Sequence, residues 1–257
     1  MKMNTIMKKY CILIIAGFMA ALSGCQSGNQ TNALDLEVLE QTDSVFSASG
    51  WTWATFDIDV PVNGPQVLVD SVMALINKEV HHMCEISAES FERPEGCGYV
   101  AYSEQEMFTN DGTRLLSHYL EKYKQLIKDS VSCTLDFELK MEAQTARFVT
   151  FGLECLHCGA SCGSYKSYYT YDKSDGHQIK EMISHDNLMR FFKDYPEYRS
   201  YIDDGPGDEF INFDYGFLDD NFSIAVMGYD NHFGLLSVPY DEIFPYLSPD
   251  AQALVEL

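Results

Sequence analysis

Apolar and polar residues alternate from Trp51 to Val60, with Ala54, Phe56, Ile58 and Val60 on one face and Trp51, Trp53, Thr55 and Asp57 on the other. That period of two predicts a half-buried strand, stopped by Pro61. From Pro65 to about His82 the spacing changes to three and four through Val69, Val72, Met73, Ile76 and Val80. This predicts an amphipathic helix, with Asn63 or Gly64 as its cap. Residues 85–110 are irregular apart from a short strand over Gly98–Ser103. Asp111-Gly112-Thr113 opens a second predicted helix running to about Asp129, striped by Leu116, Tyr119, Leu120, Tyr123, Leu126 and Ile127.

Strand periodicity then returns. Leu135, Phe137, Leu139 and Met141 alternate with Asp136, Glu138 and Lys140, a strand with one wet face. Phe148–Cys155 and Tyr165–Tyr171 read as two more, and Asp172-Lys173-Ser174-Asp175-Gly176 as a turn. Gln178–Ile183 continues in strand register. Asp186–Asp204 reads as a helix interrupted at Pro196. Asn221–Met227 and Leu235–Val238 are strands, and short helices follow at Asp241–Leu247 and Asp250–Leu257. Two early helices followed by sequential strands with short turns imply an α+β fold, mainly antiparallel. The expected organisation is two α/β subdomains in one compact unit, 50–144 and 145–257. There is no run of βαβ units, no dinucleotide glycine fingerprint and no Walker loop, so no cofactor is implied.

The first segment has a different character. Met1–Tyr10 carries Lys2, Lys8 and Lys9 and no acid, and Cys11–Leu22 is a short apolar run. About 12 such residues make roughly 18 Å of helix, short of the ~30 Å of a hydrocarbon core. This is the layout of a secretory signal. Leu22-Ser23-Gly24-Cys25 resembles the lipobox of bacterial lipoproteins. The resemblance implies a signal peptide over 1–24 and a mature chain that begins at Cys25 and carries lipid on that residue. Stable anchoring of the chain to a membrane of the bacterial envelope, outside the cytoplasm, would follow. Residues 25–49, mostly polar and without a sustained period, are expected to be a flexible tether.

Charge narrows the partners. The 257 residues carry 17 Lys+Arg against 39 Asp+Glu, a formal net charge of −22, with 46% hydrophobic and 13% aromatic residues. The apolar share supports a real core, while the acidity argues against nucleic acid, whose phosphates need clustered bases. Loss of Lys2, Lys8 and Lys9 with the signal takes the charge from −22 to −25. After Arg199 there is no Lys or Arg, yet 12 acids follow, from Asp203 and Asp204 to Glu256. Such a surface suits a cationic partner. Calcium at Asp203–Asp208 lacks the EF-hand ligand spacing.

Of eight cysteines, the lipobox resemblance implies that Cys11 leaves with the signal and that Cys25 carries lipid. The remaining Cys84, Cys97, Cys133, Cys155, Cys158 and Cys162 are expected to form structural disulfides. Cys84 with Cys97 is the first pair to name, and the 155/158/162 cluster is expected to draw a partner from Cys133. A metal held by Cys155, Cys158 and Cys162 with His157 or Cys133 is disfavoured, because only one C-x-x-C is present. Redox chemistry is disfavoured too, because a strand rather than a helix follows. Gly159-Ala160-Ser161-Cys162-Gly163 satisfies G-x-S-x-G but without the helix that a nucleophile elbow requires. His81 and His82 near Cys84 read as a surface pair at a helix end.

Several blocks together resemble the RsiV C-terminal domain family over about residues 145–250. They are Cys158-Gly159-Ala160-Ser161-Cys162-Gly163, Tyr169-Thr170-Tyr171-Asp172, Asp175-Gly176, Phe222–Val226, Gly234, Val238-Pro239-Tyr240 and Pro245-Tyr246-Leu247. Cys162 stands where that family has a loop histidine, and the loop before Gly234 is shorter and lacks the family's proline. The family includes the ectodomain of an anti-sigma factor that binds lysozyme and a segment preceding a peptidoglycan deacetylase domain. The resemblance implies a non-enzymatic, lipid-anchored binding module for a lysozyme-like cationic protein or a cell-wall-associated ligand. Ser161, Asp214, Asp219, Asp220, Tyr229, His232 and Phe233 are the candidate ligand-binding residues. No catalytic or metal residue is named. The alternatives are an enzyme acting on cell-wall carbohydrate and a structural envelope lipoprotein without a soluble ligand.

Overall fold

The computed structural model describes residues 33–47, 50–89, 134–158, 162–199, 212–227 and 233–255. Strands β1 (Asp35–Ser47) and β2 (Gly50–Asn63) form an antiparallel hairpin. Helix α1 (Gln66–Glu89) follows, then β3 (Thr134–Gln144), β4 (Phe148–Cys158) and β5 (Cys162–Asp172). These five strands make one sheet in sequence order. All its pairings are antiparallel except β2 with β3, a parallel pair that needs the long connection containing α1. After α2 (His185–Asp194) and α3 (Pro196–Arg199), strands β6 (Asn212–Phe217), β7 (Asn221–Met227) and β8 (Phe233–Pro239) form a second, antiparallel sheet. Short α4 (Tyr240–Ile243), a 3-10 turn (Phe244–Tyr246) and α5 (Pro249–Leu254) complete an α+β fold.

Each sheet has its own core. Leu68, Val72, Leu75, Ile76 and Val80 of α1 cover Phe56, Ile58, Leu135, Phe137, Leu139, Phe151 and Leu153. The second core gathers Phe148, Leu188, Phe191, Phe217, Phe222, Ile224, Val238 and Ile243. Ser184 caps α2 and Ser248 caps α5 through their hydroxyls.

Several expectations need correction. Residues 35–47, read as part of a flexible tether, form β1. Glu37 and half-buried Gln41 stand on its inner face, opposite Val60 and Phe56, so no clean alternation marks the strand. β2 passes through Pro61 to Asn63, because its register with β3 ends at Ile58, where Pro61 has one neighbour strand rather than two. The 144/145 boundary falls inside the β3–β4 hairpin of a single sheet, which cannot be divided there. Gln178–Ile183 makes isolated bridges rather than a strand, Gln178 to Tyr171 and Ile183 to Leu247. β6 was not expected at all. The signal segment, Cys25, the 98–103 strand, the 111–129 helix and Asp203–Asp208 lie outside the described residues.

The two sheets meet at Tyr168 of β5. Its ring lies over Gly216 of β6, where an added Cβ would stand 2.6 Å from ring carbons. Its hydroxyl is 2.8 Å from the Ser223 hydroxyl on β7, and its backbone N–H donates to the Asp214 carboxylate at 3.2 Å. A buried aromatic ring anchored through its hydroxyl to Ser223 cannot slide aside as the tip of a flexible chain would. Gly216→Ala is therefore expected to cost roughly 1–3 kcal/mol, read as a lower urea midpoint. An unchanged midpoint would show that the contact is not tight.

Candidate functional site

Strand alternation sorts the five-stranded sheet into an inner face under α1 and an outer face. On the inner face α1 delivers an unexpected group. Glu79 stands three residues after Ile76 and four after Leu75, within the apolar stripe, and is 4% exposed. The Tyr169 hydroxyl donates to it, Lys78 Nζ lies 2.6 Å from Oε1, and Tyr165 and Tyr171 feel its charge. Burial first, then Glu79, holds the Tyr169 and Tyr171 hydroxyls well above the ordinary tyrosine range. Tyr165, raised chiefly by burial, hydrogen-bonds the Cys155 thiol. These groups satisfy one another inside the core and act as packing with polar ties.

The outer face is built in rows across the strands. Glu40 pairs with Asp57, Asp57 with Glu138, Glu138 with Glu154, and Glu154 with Lys166. Four carboxylates thus stand side by side, with about 4.8 Å between strands. Like charges directly opposite are destabilising. Glu40, Glu138 and Glu154 are exposed. Lys140 and Lys166 are the two bases that alternation places on this face, and both are already engaged. Lys140 pairs with Asp57 and, at 3.1 Å, with Asp59. Burial works against the Lys140 cation, but the two carboxylates outweigh it and hold its pKa above the ordinary lysine value. Lys166 pairs with Glu142 and lies 3.8 Å from Glu154. Gly152 leaves room for the Glu142–Lys166 pair, since a Cβ there would stand 1.9 Å from Glu142 Oε1.

At one end of this face a further row runs Ser44, Trp53, Thr134, Cys158 and Cys162. Cys158 and Cys162 form a disulfide that closes the β4–β5 hairpin. Neither is a free thiolate for a metal, and strand β5 follows the G-x-S-x-G string. Cys155, expected to join a disulfide, instead carries a buried thiol. The cause is strand parity: three residues before Cys158, it points to the inner face. Cys84, Cys97 and Cys133 lie outside the residues whose side chains are described. Burial pushes the Cys155 thiol up to about 12. Iodoacetamide is accordingly expected to leave Cys155 unlabelled in the native protein and to label it after unfolding without reductant. Labelling of native Cys155 would contradict this environment.

The sequence-predicted ligand residues do not converge among the described residues. Ser161, Tyr229 and His232 lie outside them. Phe233 opens β8, half-buried, and Asp219 and Asp220 are exposed at the β6–β7 turn. Asp214 is engaged in the junction, where Oδ1 accepts from the backbone N–H of Tyr168 and, at 2.8 Å, of Tyr215. Burial raises the Asp214 pKa against the pull of those N–H groups and of the Ser167 hydroxyl, and the Glu79 charge adds to the rise. A carboxyl whose folded pKa lies above its unfolded value contributes stability fully at pH below the unfolded pKa, and loses it as pH rises through the folded one. Asp214→Asn keeps the oxygen acceptor and removes that loss. Between about pH 3 and pH 7, wild-type stability relative to the variant is expected to fall as pH rises. A flat or rising difference in urea unfolding would contradict the assignment.

Asp172, Asp175 and His177 bring three ligand-type atoms within 4.8 Å of one another. Their hydrogen bonds belong to the turn: Asp172 accepts from Ser174 N–H, and Asp175 from His177 N–H. No helix among the described residues is long and apolar enough to cross a membrane.

With this architecture, an α+β chain of one mixed and one antiparallel sheet, comparison shows what it is similar to. A DUF3298 family protein from Pseudomonas aeruginosa PAO1 superposes with a TM-score of 0.55 at 12% identity, over 86% of this chain and 97% of the other. A DUF3298 family member from Bacteroides fragilis NCTC 9343 gives 0.51 at 14%, over 85% and 95%. The fold is therefore the one seen in DUF3298 proteins. No family model matches the sequence, and no curated protein matches it.

Proposed function

We propose that this chain is a non-enzymatic binding module of the bacterial envelope, anchored through lipid on Cys25, that captures a cationic protein on the outer face of its five-stranded sheet. The row Glu40–Asp57–Glu138–Glu154 carries the reading. A face selected only for solubility has no need to set carboxylates directly opposite one another, because that arrangement costs stability. A cationic surface laid across the row would relieve the repulsion, and the net charge, −25 once Lys2, Lys8 and Lys9 leave with the signal, would steer its approach.

The resemblance to the RsiV C-terminal domain family supports a lysozyme-like protein as the cationic partner, and the lipobox supports an extracytoplasmic location. The reading moves the contact surface away from Asp214, which is occupied in holding the sheets together, and onto strands β1 to β4. The acidity argues against nucleic acid as the partner.

Lysozyme titrated onto the full chain in detergent is expected to bind at low ionic strength and to weaken steeply as salt rises. Glu138→Gln with Glu154→Gln is expected to weaken binding severalfold without lowering the urea midpoint, since relieved repulsion offsets any lost contact. Absence of binding at low salt to lysozyme and to other basic envelope proteins would overturn the proposal.

A further inference from the structure

The acidic row accounts for attraction but not for position, since charge alone would hold a cationic partner in many registers. Trp53 supplies a fixed point on the same face. It is 40% exposed although neighbouring Phe56 and Ile58 are fully buried. It pairs with Thr134 in the β2–β3 register. Its row neighbours are small: Ser44 on one side, Thr134 and then the Cys158–Cys162 disulfide on the other. No bulky side chain of that row stands over the ring.

Carboxylates lie beyond it at regular intervals. Asp136 stands two residues past Thr134 on β3, and Glu138 two further, beside Asp57. Same-face residues repeat about every 6.6–6.8 Å along a strand. An extended partner segment has the same repeat. When it runs along β2 and β3, its alternate side chains fall in turn over the Trp53 ring, Asp136 and the Asp57–Glu138 pair.

Resting on the reading of a cationic partner, we infer that this face recognises an extended segment with arginine at alternate positions, one guanidinium lying on the Trp53 ring and the following ones on Asp136 and the Asp57–Glu138 pair. Arginine fits better than lysine because its planar guanidinium stacks on an aromatic face while its N–H groups still reach carboxylates. The acids also disfavour a cell-wall peptide carboxylate on this face. Lys140 and Lys166 do not compete for the ring, since their ammonium groups are held by Asp57, Asp59 and Glu142.

The test compares deca-arginine with deca-lysine, equal in charge, bound to the full chain in detergent at low salt. Deca-arginine is expected to bind roughly two- to fivefold tighter, and Trp53→Leu to remove that preference while leaving a common, salt-sensitive affinity. Trp53→Phe should retain most of it. Trp51 and Trp53 are the two tryptophans of the chain, so Trp51→Phe isolates Trp53 emission, which is expected to change saturably with deca-arginine. Equal affinities for the two peptides, a preference surviving Trp53→Leu, or silent Trp53 emission would overturn the inference and leave the cationic-partner reading standing. Failure of both peptides to bind the wild type would overturn both.

Discussion

Burying Phe56, Phe137 and Cys155 beneath α1 fixes the register of three strands at once, because a one-residue slip in any of them would turn its apolar side chains outward. The same register decides the outer face. One residue along from that buried row are Asp57, Glu138 and Glu154, which have nowhere to go but out. Core packing thus fixes which outward positions stand in line, while nothing in the core requires those positions to be acidic. The repulsion is tolerated because it is small beside the burial: roughly 1.5–3 kcal/mol for each large apolar side chain against at most about 1 kcal/mol for a cross-strand pair.

The second sheet is attached by different physics. Tyr168, on the outer face of β5, joins β6 and β7 through a ring over Gly216, a hydroxyl on Ser223 and a backbone N–H on Asp214. This ends the exposed row at β5: the sheet's outer face is open charge towards β1 and β2 and a protein junction at Tyr168. Lys166, two residues away, rests 5.4 Å from the Tyr168 ring, and its one charge is paired with Glu142 next to the junction, with Glu154 further off at 3.8 Å. Among the described acids of the outer face, Asp136 and Glu138 have no close basic partner and lie on β3, beside the strand that carries Trp53.

Much of this was legible from period alone. The wet and dry faces of β3 follow from Leu135, Phe137 and Leu139 against Asp136 and Glu138, and the inward stripe of α1 from Val72, Ile76 and Val80. Other features were hidden for physical reasons. β1 is an edge strand with polar residues on both faces, Glu37 and Gln41 on one and Glu40, Thr42 and Ser44 on the other, so its composition is that of a tether. β6 does alternate, through Phe213, Tyr215 and Phe217, but it is six residues long and holds Asp214 and Gly216, residue types depleted in strands. Glu79 left a signal, a carboxylate at an apolar stripe position, and a search for polar residues in that stripe would find it. The alignment of acids into one row was invisible, because the order and direction of strands far apart in sequence decide which residues become neighbours.

The decisive measurement is the location of the contact. With lysozyme added to the full chain at low ionic strength, backbone amide hydrogen exchange read peptide by peptide should slow in the segments carrying Thr55–Asp57, Asp136–Glu138 and Glu154, and remain unchanged at Asp219–Asp220. Protection confined to the β6–β7 turn, or no protection anywhere on β2 to β4, would contradict the account.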